Sequence, residues 1–190
     1  MIITISGTPG SGKSTIAKSI EKKFRYKRFY MGDLQRKIAK SKGITLEELQ
    51  KIEEKDPSID YEVDNEMEKI FIAMNDAIVE GRTAAGLFKK WNMKKKAIHI
   101  FLNCELKESA KRIFKQKKAE GNGNRNEKTA KTITEQMKYI TQRENDDRKR
   151  FKSLYNLDIY NKKLYDLIID TTKLTPQQAV SKIITFIKTR

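Results

Sequence analysis

The chain has 190 residues, of which 37% are hydrophobic and 35% are charged, and its formal net charge is +16 at pH 7. This length fits one domain with a core of its own, and the charge indicates anionic partners such as nucleotides, nucleic acid or an acidic membrane face. The single cysteine, Cys104, excludes an intramolecular disulfide, and the single histidine, His99, leaves little for a histidine-rich metal site or a Ser/His/Asp triad.

Short apolar runs alternate with segments of helical periodicity along the whole chain. Strands are predicted at residues 2–6, near 29–30, and at 77–80, 97–103 and 167–170. Helices are predicted after residue 13, from 33 to 43, from 45 with the capping pair Thr45 and Glu48, from 59 to 74, from 107 to 118, from 131 to 151, and after the capped Thr175-Pro176. This alternation predicts an α/β protein with a parallel sheet covered on both faces.

Two other segments bear on the environment of the protein. The stretch KKWNMKKK, residues 89–96, is predicted to be a solvated basic loop rather than a nucleic-acid patch. No run approaches 18 apolar residues, and Met1 leads directly into strand residues, so a soluble cytoplasmic protein with a buried, structural Cys104 is expected.

The loop between the first strand and the first helix carries the pattern G-x-x-x-x-G-K-[ST] at Gly7, Gly12, Lys13 and Ser14. Glycines let successive N–H groups turn inward toward phosphate oxygens, and the following helix adds its positive end. Lys13 is expected to contact the outer phosphates, and the Ser14 hydroxyl is expected to bind Mg²⁺. The predicted ATP-binding residues are Gly7, Thr8, Pro9, Gly10, Ser11, Gly12, Lys13, Ser14 and Thr15.

Binding of a nucleoside triphosphate leaves the reaction open. A guanine-reading N-K-x-D motif is not suitably placed, and large ATPase motors need a longer chain. A helical insert at 33–76 and a glycine-rich segment near residue 121 predict two covers over one core, as a kinase of a small acceptor needs to exclude water.

Four segments together resemble the nucleoside monophosphate kinases, and most closely the cytidylate kinase family. They are YMGDLQR (30–36), VEGR (79–82), RENDDRKRF (143–151) and YNLDIYNKKLYDLIIDTT (155–172). The resemblance spans essentially the whole chain and is closest to the shorter, archaeal-type members. It implies the P-loop NTPase fold with a five-stranded parallel sheet, and ATP-dependent phosphorylation of CMP or dCMP with Mg²⁺. It also implies one kinase domain over 1–190, with a core (1–32, 77–118, 131–190), a monophosphate-binding insert (33–76) and a mobile lid (119–130).

The resemblance also implies roles for individual residues. Arg36 and Arg82 would hold the acceptor phosphate, since a bidentate guanidinium suits phosphate geometry. The remaining acceptor residues would be Arg143, Asp147 and Arg150, which share one helical face and whose last two members would recognise sugar or base. The catalytic residues would then be Lys13, Arg82 and a lid arginine, either Arg125, which is preferred because its loop can close, or Arg112.

One departure from the family pattern concerns the metal. Bacterial cytidylate kinases carry an Asp-Ser pair after the second strand, where this chain has Tyr30-Met31. Asp33 or Glu80 could orient metal-bound water instead. This difference leaves base specificity more open than reaction type.

Three alternatives stay open on the sequence. The first is a kinase of another small acceptor, such as AMP, UMP or a non-nucleotide metabolite. The second, motivated by the charge, is a nucleic-acid-binding ATPase or an RNA-directed kinase, which would bind nucleic acid in a salt-dependent manner. The third is an inert nucleotide-binding regulator.

Overall fold

The computed structural model describes residues 1–53, 55–120 and 130–190, except for the side chains of 46, 47, 50 and 117–120. Its elements, in chain order, are β1 (Ile2–Gly7), α1 (Lys13–Phe24), β2 (Lys27–Tyr30), α2 (Met31–Ser41), α3 (Leu46–Glu53), α4 (Ser58–Ala73), β3 (Ala77–Glu80), α5 (Ala84–Lys90), β4 (Ala97–Asn103), α6 (Leu106–Glu120), α7 (Ile133–Tyr155), a short 3₁₀ helix (Lys162–Leu164), β5 (Leu167–Asp170) and α8 (Pro176–Lys188).

The five strands form one parallel sheet in the order β2-β3-β1-β4-β5. Strand β1 lies between β3 and β4, with Ile5 opposite Glu80 on one side and Gly7 opposite Leu102 on the other. From β1 the chain first adds strands on one side of the sheet and then, after β3, on the other side. In open α/β sheets, ligands bind beyond the carboxyl ends of the strands at the point where the strand order reverses in this way. The predicted fold class, a P-loop type α/β sheet, is confirmed.

Separate apolar clusters cover the two faces of the sheet. On one face, Ile3 and Ile5 of β1 pack with Ile16 and Ile20 of α1 and Ile183 of α8. On the other face, residues of β1 and β3 pack against α2, α4, α5 and the end of α7. The alternation of buried side chains along β1 follows from the two-residue period of a strand, so helices are held on both sides.

The predicted helix starts are confirmed at two caps. The Thr45 amide donates to the Glu48 carboxylate while the Glu48 amide donates to the Thr45 hydroxyl, and Thr175 and Gln178 form the same arrangement before α8. Helices α2, α3 and α4 lie between β2 and β3, where a helical insert was predicted.

The predicted secondary structure between β3 and β4 is partly wrong. Residues 89–96 were predicted as a solvated loop, but Lys89 and Lys90 form the last turn of α5, a helix that the sequence analysis missed. The buried residues of α5 are Ala84, Ala85, Gly86, Leu87 and Phe88. A helix whose first five residues are all buried shows no alternation of polar and apolar positions, so periodicity gives no signal there.

Cys104 and His99 are both buried, as expected for structural residues. Burial lowers the pKa of His99 to about 4, so its ring is neutral at physiological pH, and Nδ1 lies 2.9 Å from the Thr4 hydroxyl. In the part of the chain that the structure describes, no helix is both long enough and apolar enough to cross a lipid bilayer.

Candidate active site

The loop between β1 and α1 has the conformation that its glycines allow. Gly12 precedes α1 with φ near 86°, and Gly7 has φ near 149° with its Cα so close to β4 that a Cβ would lie 2.1 Å from the Leu102 carbonyl oxygen. A residue with a side chain would therefore clash at Gly7 and be strained at Gly12. The loop is held further by Ser11, whose hydroxyl donates to the Thr8 carbonyl and whose carbonyl accepts from Thr171.

Lys13 lies at the first residue of α1 and folds over this loop. Its Nζ donates to the Gly7 carbonyl at 2.9 Å and to the Thr8 carbonyl at 2.7 Å. The ammonium group is thus held at the mouth of the loop, where the N–H groups at the start of α1 and the helix dipole also favour negative charge. This arrangement suits the oxygen atoms of a phosphate.

The Ser14 hydroxyl donates to Oε1 of Glu80 at 2.5 Å, and Glu80 is 1% exposed. Arg28 donates to the other carboxylate oxygen, Oε2, at 2.7 Å, and its Nε lies 3.4 Å from Glu21. Strand register explains the contact between Arg28 and Glu80. Tyr30 of β2 lies opposite Glu80 of β3, and Arg28, two residues before Tyr30, points to the same face of the sheet. A hydroxyl and a carboxylate side by side are hard oxygen ligands of the kind that Mg²⁺ prefers.

Asp33, the other carboxylate considered for the metal, also lines the cleft into which the phosphate loop opens. It is half exposed in the first turn of α2 and is 3.3 Å from Lys37 Nζ and 3.8 Å from Arg36. Of the two candidates, only Glu80 contacts Ser14 in the described residues.

Arg36 and Arg82 both line the cleft that the phosphate loop opens into. The guanidinium of Arg36 stacks over the ring of Tyr30, with 4.8 Å to the ring centroid, and Arg82 follows β3 and pairs with Asp147 of α7. Arg143 also lines this cleft. The structure therefore brings together three of the predicted acceptor residues at the surface of one cavity of about 1320 Å³.

Asp147 and Arg150 lie behind that surface in a buried network of acids and arginines. Arg150 donates to the Glu53 carboxylate, and its guanidinium lies 3.5 Å from Asp147 and 3.6 Å from Asp60. Glu53 also accepts from the Gln35 amide at 3.0 Å. The network joins the insert helices α3 and α4 to α7, because each contributes one side of the same ionic cluster.

Asp60 and Asp64, one turn apart on α4, were not singled out by the sequence analysis. Burial raises the pKa of Asp60 to about 6, although Arg150 and Arg82 oppose this effect. Burial raises the pKa of Asp64 to about 7, although the Tyr155 hydroxyl donates to its carboxylate. The sequence IDYEVD could have indicated these residues. It places two aspartates four residues apart beside the apolar residues of a helix, and charged residues on an apolar helix face are unusual.

One of the two candidate lid arginines, Arg112, lies among the described residues. Arg125 lies outside the described residues, and its role stays a prediction. Arg112 of α6 donates to the carbonyl groups of Thr171 and Thr172 at 2.8 and 3.0 Å and to Glu108 at 3.0 Å. The bonds to Thr171 and Thr172 tie Arg112 to the loop after β5, and the bond to Glu108 stays within its own helix.

The phosphate loop, the Ser14–Glu80 pair and three predicted acceptor arginines thus line one cleft, an arrangement suited to holding more than one phosphate group.

Comparison with known proteins gives the family. Residues 2–173 match the cytidylate kinase-like family. A cytidylate kinase of Pyrococcus abyssi is 34% identical over 177 residues, covering 93% of this chain and 88% of that protein. One from Methanocaldococcus jannaschii is 35% identical over 173 residues, covering 91% and 89%. The chain belongs to the cytidylate kinase-like family, and the predicted family and class of enzyme, a nucleoside monophosphate kinase, are confirmed.

Solved structures agree on the fold. A shikimate kinase of Bacteroides thetaiotaomicron superposes with a TM-score of 0.64 over 99% of this chain and 98% of its own, at 16% identity. A protein of Eubacterium ventriosum, described only as uncharacterized, has a TM-score of 0.72 over 100% and 99%, also at 16% identity. At this identity the likeness concerns the fold alone.

Proposed function

We propose that the protein transfers the γ-phosphoryl group of ATP to CMP or dCMP and forms CDP or dCDP. The observation that carries this proposal is the placement of the phosphate loop and of Arg36 and Arg82 on the walls of one cleft. A donor and an acceptor phosphate bound at these two positions would face each other, and phosphoryl transfer depends mostly on such positioning. The curated relatives named cytidylate kinase support the choice of acceptor.

For the donor, we propose that residues 7–15 wrap the phosphates of ATP and that Lys13 turns from the loop carbonyls to the outer phosphates. Mg²⁺ would be held with the triphosphate by Ser14, with Glu80 accepting from metal-bound water. The fit rests on the buried Ser14–Glu80 contact, which supplies oxygen ligands next to the loop. When bound, the ion neutralises charge that develops on the transferred group.

For the acceptor, Arg36 and Arg82 would bind the phosphate, while Arg143, Asp147 and Arg150 would surround the nucleoside. The acceptor phosphate is already largely ionised near neutral pH, so no strong general base is required. Arg125 would add positive charge to the transition state from a lid formed by 119–130, as the insert at 33–76 closes from the other side. The division into one kinase domain with these covers, and a location in the cytoplasm, are part of the same proposal.

The test is an assay of ADP formation from Mg-ATP with CMP, dCMP, UMP, AMP, GMP or no acceptor. We expect strong stimulation by CMP or dCMP, and loss of at least about 100-fold in turnover for Lys13→Ala with an unchanged thermal midpoint. The control is Lys22→Ala, which removes an exposed lysine from the same helix. Stimulation by AMP alone would identify AMP, not CMP, as the acceptor. ATP turnover that no acceptor stimulates would refute the kinase activity and favour a nucleic-acid-directed ATPase.

A further inference from the structure

Asp60 differs from the other carboxylates of the buried ionic network around Arg150, because within the described part of the chain its Oδ2 lacks a hydrogen bond, as does the Nε of Arg150 that faces it. It lies in the first turn of α4, is 4% exposed and lines the cleft. No group among the described residues hydrogen-bonds to its Oδ2, and the nearest cation, Arg150 Nε, is 3.6 Å away. A buried carboxylate oxygen without a hydrogen bond is rare in folded proteins, because burial removes water that nothing then replaces.

The neighbouring carboxylates have their partners within the protein. Glu53 accepts from Gln35 and Arg150, Asp147 is paired with Arg82, and Asp64 accepts from the hydroxyl of Tyr155. Asp60 is therefore the carboxylate of this network with an oxygen that can still accept a hydrogen bond from a ligand. Since Asp64 also lines the cleft, exposure to the cleft alone does not distinguish the two.

The position of Asp60 is on the acceptor side of the cleft. Arg82, proposed to bind the acceptor phosphate, pairs with Asp147, which contacts Arg150, which in turn contacts Asp60. Residues of α4, among them Asp60 and Asp64, line the same cleft as Arg82. Asp147 and Arg150, which were expected to recognise the sugar or the base, are not among the described residues that line the cleft.

We infer that Asp60 determines which base is accepted, by accepting a hydrogen bond from the 4-amino group of cytosine. This inference rests on the proposed function. Cytosine carries a donor at position 4, whereas uracil carries a carbonyl oxygen there, and acidic side chains pair with the cytosine amino group for that reason. With uracil in the same place, two acceptors would face each other and the buried carboxylate would stay unsatisfied. The protein therefore favours CMP over UMP through one side chain.

Arg150 acts on Asp60 as a positioning residue. Its guanidinium donates to Glu53 and lies 3.6 Å from Asp60, so it places a positive charge beside the Asp60 carboxylate. The positive charges of Arg150 and Arg82 also favour the ionised carboxylate against the effect of burial, and Asp60 is mostly ionised at pH 7.

The test is Asp60→Asn, whose amide can donate to the uracil carbonyl as well as accept from the cytosine amino group. The measured quantity is the ratio of kcat/KM for CMP to kcat/KM for UMP, in which the fraction of folded enzyme cancels. We expect the ratio to fall about 10- to 100-fold. Asp64→Asn is the matched control, one turn along α4, and is expected to leave the ratio unchanged whatever it does to turnover.

The outcomes separate the two hypotheses. A wild-type protein that uses neither CMP nor UMP would refute the proposed function. A wild-type protein that prefers CMP, with the same preference in Asp60→Asn, would overturn the role of Asp60 and leave the function standing. If Asp60→Asn does not fold, Asp60→Ser takes its place, because a hydroxyl also donates and accepts; the same fall in the ratio is expected, and an unchanged ratio overturns the inference.

Discussion

Asp64→Asn should change how the stability of the protein depends on pH. In the folded protein burial raises the pKa of Asp64 from 3.8 to about 7, so the folded state binds this proton more tightly than the unfolded state. The stability that the proton contributes is present below pH 3.8 and is lost as the pH rises from there through about 7. Asparagine cannot ionise, and its carbonyl can still accept from the Tyr155 hydroxyl.

The size of the effect follows from the shift. One pKa unit corresponds to about 1.4 kcal/mol, so a shift of about three units corresponds to about 4 kcal/mol when the titration is complete. Between about pH 5 and about pH 8 the wild-type free energy of unfolding should fall by about 2 to 3 kcal/mol more than that of Asp64→Asn. Urea unfolding at both pH values measures it, with the exposed Glu62→Gln on the same helix as control. Equal pH dependence in wild type and Asp64→Asn would show that Asp64 ionises normally and refute the reasoning.

Three further predictions concern the site. Arg82→Ala should raise the KM for CMP about 10- to 100-fold with a smaller effect on ATP, since one charge-assisted bond to the acceptor phosphate is lost; an equal effect on both substrates would argue against this role. Glu80→Gln should raise the Mg²⁺ concentration needed for half-maximal rate and leave Ser14 without its carboxylate partner; an unchanged Mg²⁺ dependence would contradict it. The KM for CMP should rise as the pH falls below about 6, where Asp60 takes up a proton and loses the negative charge that strengthens its bond to the amino group; because the CMP phosphate titrates nearby, Asp60→Asn is the reference, and identical profiles would contradict the assignment.

The ionic network couples several of the proposed acceptor residues to the packing of the insert helices. Arg150 contacts Glu53 of α3, Asp60 of α4 and Asp147 of its own helix. Removal of its charge would take the paired cation from the buried Glu53 and Asp60, whereas Asp147 would keep Arg82. The loss of one partner in such a cluster costs more than the net strength of the pair. Mutations of Arg150 therefore test folding and function together, which is why the sharper experiments above change Asp60 and Arg82.

Local features of the chain were predictable from its sequence. The bounds of β3, β4 and β5 were predicted residue by residue, because buried strands of a parallel sheet are continuous apolar runs between polar residues. The caps at Thr45 and Thr175 depend on residues three apart, and the phosphate loop depends on a short pattern whose glycines and lysine act within one turn of the chain. In these cases the physical cause lies within a few residues, so the sequence alone contains it.

Other features depend on contacts between distant segments. Helix α5 was missed because it is buried on all sides of its first turns, and burial by other elements leaves no periodic signal. The contact of Glu80 with Ser14 arises from residues 66 apart, and that of Arg150 with Glu53 from residues 97 apart. The packing of α3 and α7 against α4 decides whether Asp60 is exposed at the surface or buried with one carboxylate oxygen that accepts no hydrogen bond from the described residues. The strands, the phosphate loop and the family could thus be predicted from the order of the residues. The contact between Glu80 and Ser14 and the Asp60 oxygen without a hydrogen bond could not, because long-range packing sets burial and partners.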